Sequence, residues 1–264
     1  MTAKTTFKIL GSGAGPGAPS FFCNCRGCLE AQDNPSLSRT RSGAVISTEH
    51  STILIDTPPD LRVQLIREKI TDIDKIFLTH WHYDHFGGIG ELEYYVKLKR
   101  KEALPLYLPP SAVEQFHQAF PDLEEVFEVI PWEVGKVYSV GPLSITPLAA
   151  NHGIETAGFL VQSPDIKLAY FPDTAGLPPE TAQKVEKVEW LICDATFHGD
   201  NWFPMSHMSV EEAIELGRLV KAQYTVLTHL SVHYSQPITV KELQGIASRH
   251  SGVMIAYDGM TLPL

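Results

Sequence analysis

The sequence predicts an α+β protein in which helices cover mixed β-sheets. Two observations support this class. Short runs rich in β-branched and aromatic residues recur between turn residues, and segments whose apolar residues follow helical spacing lie between them. The first half of the chain contains hairpin-like pairs, as over residues 44–55, whereas the second half alternates strand with helix. Mixed sheets covered by helices accommodate both patterns.

Each predicted strand is a short apolar run between turn residues. In chain order, the predicted strands cover residues 7–10, 44–47, 52–55, 75–78, 143–148, 158–161, 167–171, 190–193 and 225–227. Each predicted helix repeats apolar residues three or four positions apart. In chain order, the predicted helices cover residues 61–69, 89–99, 111–119, 180–185, 210–220 and 240–249. The segment 11–41 lacks this spacing, and we expect it to be poor in helix.

The composition is typical of a globular protein and argues against broad nucleic-acid or membrane binding. The 264 residues suffice for a sizeable core, and in the absence of a repeat or a dividing linker, a single domain over residues 1–264 is the simplest organisation. The 31 acidic and 21 basic residues give a formal net charge of −10, whereas such binding needs a basic surface. Residues 1–10 lack the apolar core of a signal peptide, and no run is long enough to span a membrane, so we expect a cytoplasmic location.

Four predicted strands lead directly into residue types that bind metals. The residues are His80, His152, Asp173 and His229. Because ligands of α/β proteins bind beyond the carboxyl ends of strands, we expect these four residues to meet at one edge of the sheets.

The first of these residues, His80, begins a His-x-His-x-Asp-His motif. It places His80, His82, Asp84 and His85 on one loop after a predicted buried strand. Imidazole and carboxylate groups suit Zn, Mn or Fe, so the loop can aim its first two histidines at one cation and Asp84 and His85 at another. The alternative is a polar loop in which Asp84 caps the following helix. Three histidines and an aspartate within six positions favour two metals.

This motif, with the later His152, Asp173 and His229, resembles the metallo-β-lactamase superfamily over essentially the whole chain. The resemblance implies a four-layer αββα sandwich and two catalytic divalent metals, Zn or Mn, with Fe as a further option. It implies that the first metal is held by His80, His82 and His152, that the second is held by Asp84, His85 and His229, and that Asp173 bridges them. Two cations about 3.5–4 Å apart activate a shared water as hydroxide and clamp the oxygens of an ester or phosphodiester.

A histidine before a predicted helix is the candidate proton donor. His207 precedes Ser209 and Glu212, which have capping-box spacing, so we expect it on a loop rather than in the core. A similar histidine occurs in phosphodiesterase branches of the superfamily, including the transfer-RNA 3′-processing enzymes. The resemblance therefore favours phosphoester chemistry in which His207 protonates the leaving oxygen. The alternative is that His207 merely begins the helix.

Three of the four cysteines form a Cys-x-Cys-x-x-Cys knuckle. Cys23, Cys25 and Cys28 supply soft thiolates, and His233 would complete a closed tetrahedral site for one structural Zn. Such a site would order an insertion at about residues 19–41. Reduced free thiols and a redox switch are the alternatives. Cys193 is expected to be a buried strand residue.

The knuckle, the glycine-rich segment before it and the run Asp-Thr-Ala-Gly-Leu-Pro at residues 173–178 resemble the phosphoribosyl 1,2-cyclic phosphate phosphodiesterases of bacterial phosphonate breakdown. This resemblance implies a small cyclic phosphodiester as substrate, attacked by a metal-bound hydroxide, and a structural zinc beside the catalytic pair. Cyclic nucleotides are the next candidates. A homodimer is left open.

Three other functions compete with this one. A transfer-RNA 3′-endonuclease shares the ligands and the surroundings of His207, but the charge of −10 disfavours it. A thiolesterase of the glyoxalase II type needs neither His207 nor the knuckle. The chain also resembles the accessory protein of pyrroloquinoline quinone biosynthesis, which shares the knuckle but usually departs from the early histidines of the motif.

Three further features of the sequence can each be interpreted in two ways. The glycine-rich segment 11–19 either makes a tight connection to the knuckle or brings N–H groups to a phosphate. The basic run 97–101 either ends a helix or meets a phosphate. Trp81, Tyr83, Trp202 and Phe203 flank the candidate ligands and either pack or stack on a sugar or base.

Overall fold

The protein is built from fourteen strands and eight α-helices over the part of the chain that the computed structural model describes, residues 5–264. Residues 1–4, which begin the segment assessed for a signal peptide, lie outside the described residues. The strands are β1 (Thr6–Gly11), β2 (Gly43–Ser47), β3 (Thr52–Ile55), β4 (Lys75–Phe77), β5 (Leu104–Leu108), β6 (Phe127–Pro131), β7 (Tyr138–Val140), β8 (Leu143–Ala149), β9 (Ala157–Gln162), β10 (Lys167–Phe171), β11 (Trp190–Asp194), β12 (Tyr224–Thr228), β13 (Val253–Ile255) and β14 (Thr261–Pro263). The helices are α1 (Arg26–Asp33), α2 (Leu61–Glu68), α3 (Tyr83–Phe86), α4 (Glu93–Tyr95), α5 (Val113–Ala119), α6 (Pro179–Lys184), α7 (Val210–Leu219) and α8 (Val240–Ala247).

The strands form two seven-stranded mixed sheets. The first has the order β14-β1-β2-β3-β4-β5-β6 and the second the order β13-β12-β11-β10-β9-β8-β7. In each sheet four consecutive strands run parallel, β3 to β6 in the first and β10 to β13 in the second, and the other neighbours pair antiparallel. The parallel halves bring the carboxyl ends of several strands to the same edge.

The core lies in three layers, which gives the αββα sandwich. Between the sheets, Phe77 of β4 packs edge-on against Phe159 of β9, with ring centroids 5.6 Å apart. Outside the first sheet, α2 and α5 bury Leu61 and Phe116 against it. Outside the second sheet, α6, α7 and α8 cover an equivalent apolar layer that includes Leu216. The predicted fold class is confirmed.

Five strands were not predicted from the periodicity of the sequence, and three of them have only three residues. The strands that were missed are β5, β6, β7, β13 and β14. The expectation that segment 11–41 is poor in helix is wrong, because α1 and a 3₁₀ turn at Pro35–Leu37 lie within it. The predicted helix over residues 89–99 is a 3₁₀ turn, α4 and a π-helical turn at Val96–Arg100 in succession.

Candidate metal centre and active site

The candidate metal ligands lie just beyond the carboxyl ends of four strands. His80 follows β4, His152 follows β8, Asp173 follows β10 and His229 follows β12. α3 carries the remaining part of the motif, Asp84 and His85. The parallel strand arrangement therefore brings together side chains that are up to 149 positions apart in the sequence.

The side chains form two neighbouring clusters that share Asp173. His80, His82, His152 and Asp173 each present a ligand atom within 4.8 Å of the others, and so do Asp84, His85 and His229 in the second cluster. Asp173 Oδ2 lies 3.3 Å from His80 Nε2, 3.5 Å from His85 Nε2 and 3.8 Å from His229 Nε2. All seven predicted ligands thus meet at one place, with Asp173 between the two groups; that they bind metal stays a prediction.

The outer ring nitrogen of several histidines is held so that the inner one faces the centre. His85 Nδ1 lies 2.8 Å from Asp56 Oδ2, His229 Nδ1 lies 2.8 Å from Thr196 Oγ1, and the Nδ1 of His152 donates to a carbonyl oxygen 2.8 Å away, that of Ser206. The Nε2 atoms of His85 and His229 are buried with no hydrogen-bond partner among the described residues. Metal-binding histidines are oriented in this way by their outer partners, so the donor set fits divalent cations.

The electrostatics differ between the histidines of the centre. Burial opposes a charge on His85, but the neighbouring carboxylates, Asp56 first, raise its pKa well above the ordinary value. Burial, reinforced by His85, lowers the pKa of His80 to about 3, which leaves its ring neutral as a metal ligand requires. Burial opposes the charge of Asp173, but the surrounding histidines, His229 first, hold its pKa well below the ordinary range. The carboxylate is therefore ionised.

His207 is the accessible histidine at the edge of this centre. Its side chain is 17% exposed, and its Nδ1 lies 2.8 Å from Asp173 Oδ1 and 2.9 Å from Asp194 Oδ2. Burial disfavours its charge, yet these two carboxylates raise the pKa of His207 to about 10. Both carboxylates engage Nδ1, which leaves Nε2 as the remaining ring nitrogen.

The predicted N-cap of α7 positions His207. Ser209 and Glu212 form a complete capping box, and Asn201 Nδ2 donates to the carbonyl oxygen of His207 at 2.8 Å. His207 lies on the loop before the helix, as the sequence predicts. His207, Asp173, Asp194 and His229 also present ligand atoms within 4.8 Å of one another. The alternative to a role of His207 as the acid is therefore a role as a metal ligand.

Two buried carboxylates of the site were missed from the sequence. Asp194 ends β11 and accepts hydrogen bonds from the backbone N–H groups of Thr196 and Met208 in addition to its contact with His207. Asp56 follows β3 and holds both His85 and Thr79. The sequence could have indicated both aspartates, because each comes directly after a run of apolar residues. Asp173 follows such a run with only Pro172 between.

The cysteine knuckle forms a separate cluster with His233. Cys23, Cys25, Cys28 and His233 present ligand atoms within 4.8 Å of one another, and Cys28 Sγ lies 3.4 Å from His233 Nδ1. His233 Nε2 is buried without a partner among the described residues. Burial raises the pKa of the Cys28 thiol to about 12, so a bound cation would be needed to hold it as thiolate. The set fits a tetrahedral zinc site.

Close packing explains why a helix forms in this segment. Gly27 of α1 lies against residues 232–238: a Cβ atom here would stand 2.4 Å from the carbonyl oxygen of Ile238 and 2.8 Å from Val232 Cβ. Val232 is itself buried, at 1% exposure. α1 is therefore docked closely against residues 232–238, with Gly27, Cys28 and Ala31 as its buried residues.

The remaining sequence features divide between packing and exposure. Trp81 stacks on Phe86 at 3.9 Å within the apolar layer, so it packs. The basic run pairs with acids of its own surface, as Lys97 does with Glu93 at 2.6 Å, which supports a solvated helix end. The glycine-rich segment approaches the centre at Gly15, where a Cβ would lie 3.2 Å from Asp84 Oδ2.

Cys193 lies in β11 and is fully buried, as predicted.

A cavity of about 380 Å³ adjoins His207, between α7 and the loops after β8 and β10. Its lining includes Gly176, Leu177, Pro204 and Leu216.

Over residues 5–264, none of the helices has the length and apolar character that crossing a membrane demands.

Comparison with known proteins gives a consistent family. The model of the beta-lactamase superfamily domain matches residues 51–230. A solved structure of a new diphosphatase from the PhnP family superimposes with a TM-score of 0.87 at 25% identity, covering 100% of this chain and 98% of that one. Coenzyme PQQ synthesis protein B of a Methylorubrum extorquens strain is 24% identical over 97% of this chain and 99% of its own length. The solved structure of Zn(2+)-bound PqqB from Methylobacterium extorquens has a TM-score of 0.80 at 21% identity, covering 98% of this chain and 100% of that one.

A further relative is longer than this chain. An octanoyltransferase of Porphyromonas gingivalis is 27% identical over 96% of this chain, which spans half the length of that relative. The match of the family model to well over half of the chain, together with the two facing sheets, settles the family. The chain belongs to the metallo-β-lactamase superfamily.

Proposed function

We propose that this chain is a binuclear metal-dependent phosphodiesterase that hydrolyses a small cyclic phosphodiester such as phosphoribosyl 1,2-cyclic phosphate. The observation that carries the proposal is His207, a partly exposed histidine whose Nδ1 lies 2.8 Å from the shared Asp173 and 2.9 Å from Asp194. Hydrolysis of a sugar phosphodiester needs a proton for the departing oxygen, whereas a thiolesterase needs no such donor.

The two clusters would hold one divalent ion each, with Asp173 shared between them. Zn or Mn suits the histidine and carboxylate donors, and Fe is a further option. When bound, such a pair supplies an activated water and neutralises the charge that develops on the phosphate. We assign a third ion, a structural Zn, to the knuckle cluster of Cys23, Cys25, Cys28 and His233.

The chain's own residues handle orientation and the proton. A water oxygen that has released one proton to solvent bonds to phosphorus, and the bond from phosphorus to the sugar oxygen breaks. That oxygen takes the proton of His207 Nε2, which solvent then restores. Asp194 keeps Nδ1 of His207 engaged at 2.9 Å, which leaves Nε2 for this transfer. Asp56 orients His85 in the same manner.

The shape and charge of the chain support a small substrate. The cavity of about 380 Å³ beside His207 is within the range of small-molecule sites, and its lining includes His207, Glu212 and Glu215 but none of the seven candidate metal ligands. The net charge of −10 disfavours a long polynucleotide. The likeness to a PhnP-family diphosphatase supports phosphoryl chemistry, while the likeness to PqqB keeps a non-hydrolytic role as the second candidate.

The test is a substrate panel with the purified, metal-loaded protein. Bis(p-nitrophenyl) phosphate, a ribose cyclic phosphate, a glutathione thioester and a precursor transfer RNA are assayed with Mn and with Zn. The proposal predicts turnover of the first two and, among natural-type substrates, the highest kcat/KM for the cyclic phosphate. Turnover of the thioester with inert phosphodiesters would refute it, and inertness toward all four would favour the non-hydrolytic role.

A further inference from the structure

A second, smaller cavity lies away from the metal centre and has a polar wall without acidic residues. It has a volume of about 140 Å³ and lies between α8, the segment that follows α1 and the end of β13. None of the seven candidate metal ligands lines it. Among the described residues, those with polar side chains that line it are Ser36, Ser38, Arg39, Gln244 and Tyr257. We call it the Arg39 cavity.

The guanidinium of Arg39 is buried with one of its edges unpartnered. The residue is 3% exposed, and its Nη1 donates to Ser12 Oγ at 2.8 Å and to the carbonyl oxygen of Ala256 at 2.6 Å. Ala256 also lines the Arg39 cavity, so the guanidinium lies against the cavity wall. Over residues 5–264, the buried Nε has no hydrogen-bond partner, and both bonds of the side chain come from Nη1. The N–H groups of Nε and Nη2, which share one edge of the planar group, are therefore available to a ligand.

The charges linked to Arg39 carry an excess of one positive charge. In order of contact, they belong to Lys8, Glu68, Arg67, Asp258 and Arg39. The first four are joined by ion pairs at 2.8, 2.7 and 3.2 Å. Asp258, in contrast, reaches Arg39 through the hydroxyl of Ser12, which lies 2.8 Å from each. Three cations thus meet two carboxylates, and Arg39 has no ion pair of its own among the described residues.

Burial makes this excess charge costly without removing it. Burial lowers the pKa of Arg39 to about 10, while the carboxylates of Asp258 and Glu30 oppose the shift, so the guanidinium is still charged near neutral pH. Glu30 acts from a distance, and its Oε2 accepts from the backbone N–H of Val240 at 2.7 Å. Because a buried charge is stable only when it is paired, the guanidinium needs an anion from outside the chain.

We propose that the Arg39 cavity binds a small oxyanion, a carboxylate or a phosphate, on the Nε and Nη2 edge of Arg39. Two oxygens of such a group match the two parallel N–H groups of that edge. The Ser38 hydroxyl and the Gln244 carboxamide, which line the cavity, supply further donors. Drug-sized ligands occupy roughly 300 Å³ or more, so a cavity of about 140 Å³ suits a group of few atoms. The proposal does not depend on the proposed function, because the two sites share no residue.

The test places a carboxylate in the cavity by mutation and compares it with added anions. Gln244→Glu changes an exposed residue of α8 with almost no change in size. The new carboxylate should pair with Arg39 and raise the thermal midpoint in Hepes buffer without added salt. Acetate or phosphate at ten times its Kd should raise the midpoint of the metal-loaded wild type by about 3–6 °C. Gln244→Glu should lose most of this response, and the two anions show whether a carboxylate or a phosphate fits better.

Gln183→Glu is the matched control. It makes the same change of charge at an exposed position of α6, outside the Arg39 cavity, and should keep the response of the wild type. Potassium chloride at equal ionic strength controls for screening. The proposal is overturned if neither anion stabilises the wild type more than potassium chloride does, or if Gln244→Glu keeps the full response, which would place the anion elsewhere. A midpoint of Gln244→Glu that is unchanged or lowered without added salt would also contradict it.

Discussion

Replacing His207 with alanine separates proton donation from metal binding. The side chain contributes an imidazole whose Nδ1 is held at 2.8 Å from Asp173 Oδ1 and at 2.9 Å from Asp194 Oδ2. The substitution removes the donor and leaves the carboxylate of Asp194 buried with fewer partners. Asp194 keeps its bonds from Thr196 and Met208, so the fold should survive with a loss of about 1–3 kcal/mol.

The kinetic effect should depend on the leaving group. General acid catalysis contributes ~10²–10⁴-fold, which corresponds to about 2.7–5.4 kcal/mol of transition-state stabilisation. A sugar alkoxide leaves poorly without a proton, whereas p-nitrophenolate is a stable anion. His207→Ala should therefore lower kcat for a ribose cyclic phosphate by the full factor and for bis(p-nitrophenyl) phosphate by much less.

The assay measures kcat for both substrates together with metal content by elemental analysis. His50→Ala is the matched control, since the His50 side chain is 85% exposed and should change neither quantity. Equal losses for both substrates, or loss of a metal ion from His207→Ala, would refute the assignment of His207 as the acid and make it a ligand.

Four further substitutions, of which Thr239→Ala is a control, test the supporting structure. Asp56→Asn should weaken metal affinity by ~10–100-fold, because Asp56 orients His85 from outside, and a chelator competition titration would show it; unchanged affinity would contradict the orienting role. Cys25→Ser should remove one metal per chain and lower the thermal midpoint while the folded fraction keeps its kcat, as elemental analysis and activity after gel filtration would establish; unaltered metal content would argue for a free thiol. Ser209→Ala and Thr239→Ala each break a capping box and should cost about 0.5–2 kcal/mol in urea unfolding, but only Ser209→Ala, beside His207, should also lower kcat.

The candidate site could be predicted from the sequence because its ligands carry a local signal. His80, Asp173 and their partners follow apolar runs, and strand ends of parallel sheets are where ligands gather. Asp194 and Asp56 carry the same signal at the ends of β11 and β3, yet a single aspartate after a strand is common, and their function depends on contacts with His207 and His85 that only the structure shows.

The parts of the fold that escaped prediction are those in which tertiary contacts decide. α1 docks Gly27 closely against residues 232–238, and its buried face of Gly27, Cys28 and Ala31 contains no large apolar residue. The edge strands β7, β13 and β14 have three residues each, too few for alternation to be read. His233, four residues after His229, meets the three cysteines, and the residue before it, Val232, is buried at 1% exposure.

The most direct test of the central claim is a metal titration of the apoprotein followed by phosphodiesterase activity. The protein is stripped with a chelator under conditions that leave the knuckle ion in place, and Mn or Zn is then added in steps while bound metal and hydrolysis of bis(p-nitrophenyl) phosphate are measured. The account predicts no activity without metal and full activity when two further ions are bound per chain. Activity that survives stripping, or that saturates with no bound metal beyond the knuckle ion, would contradict it.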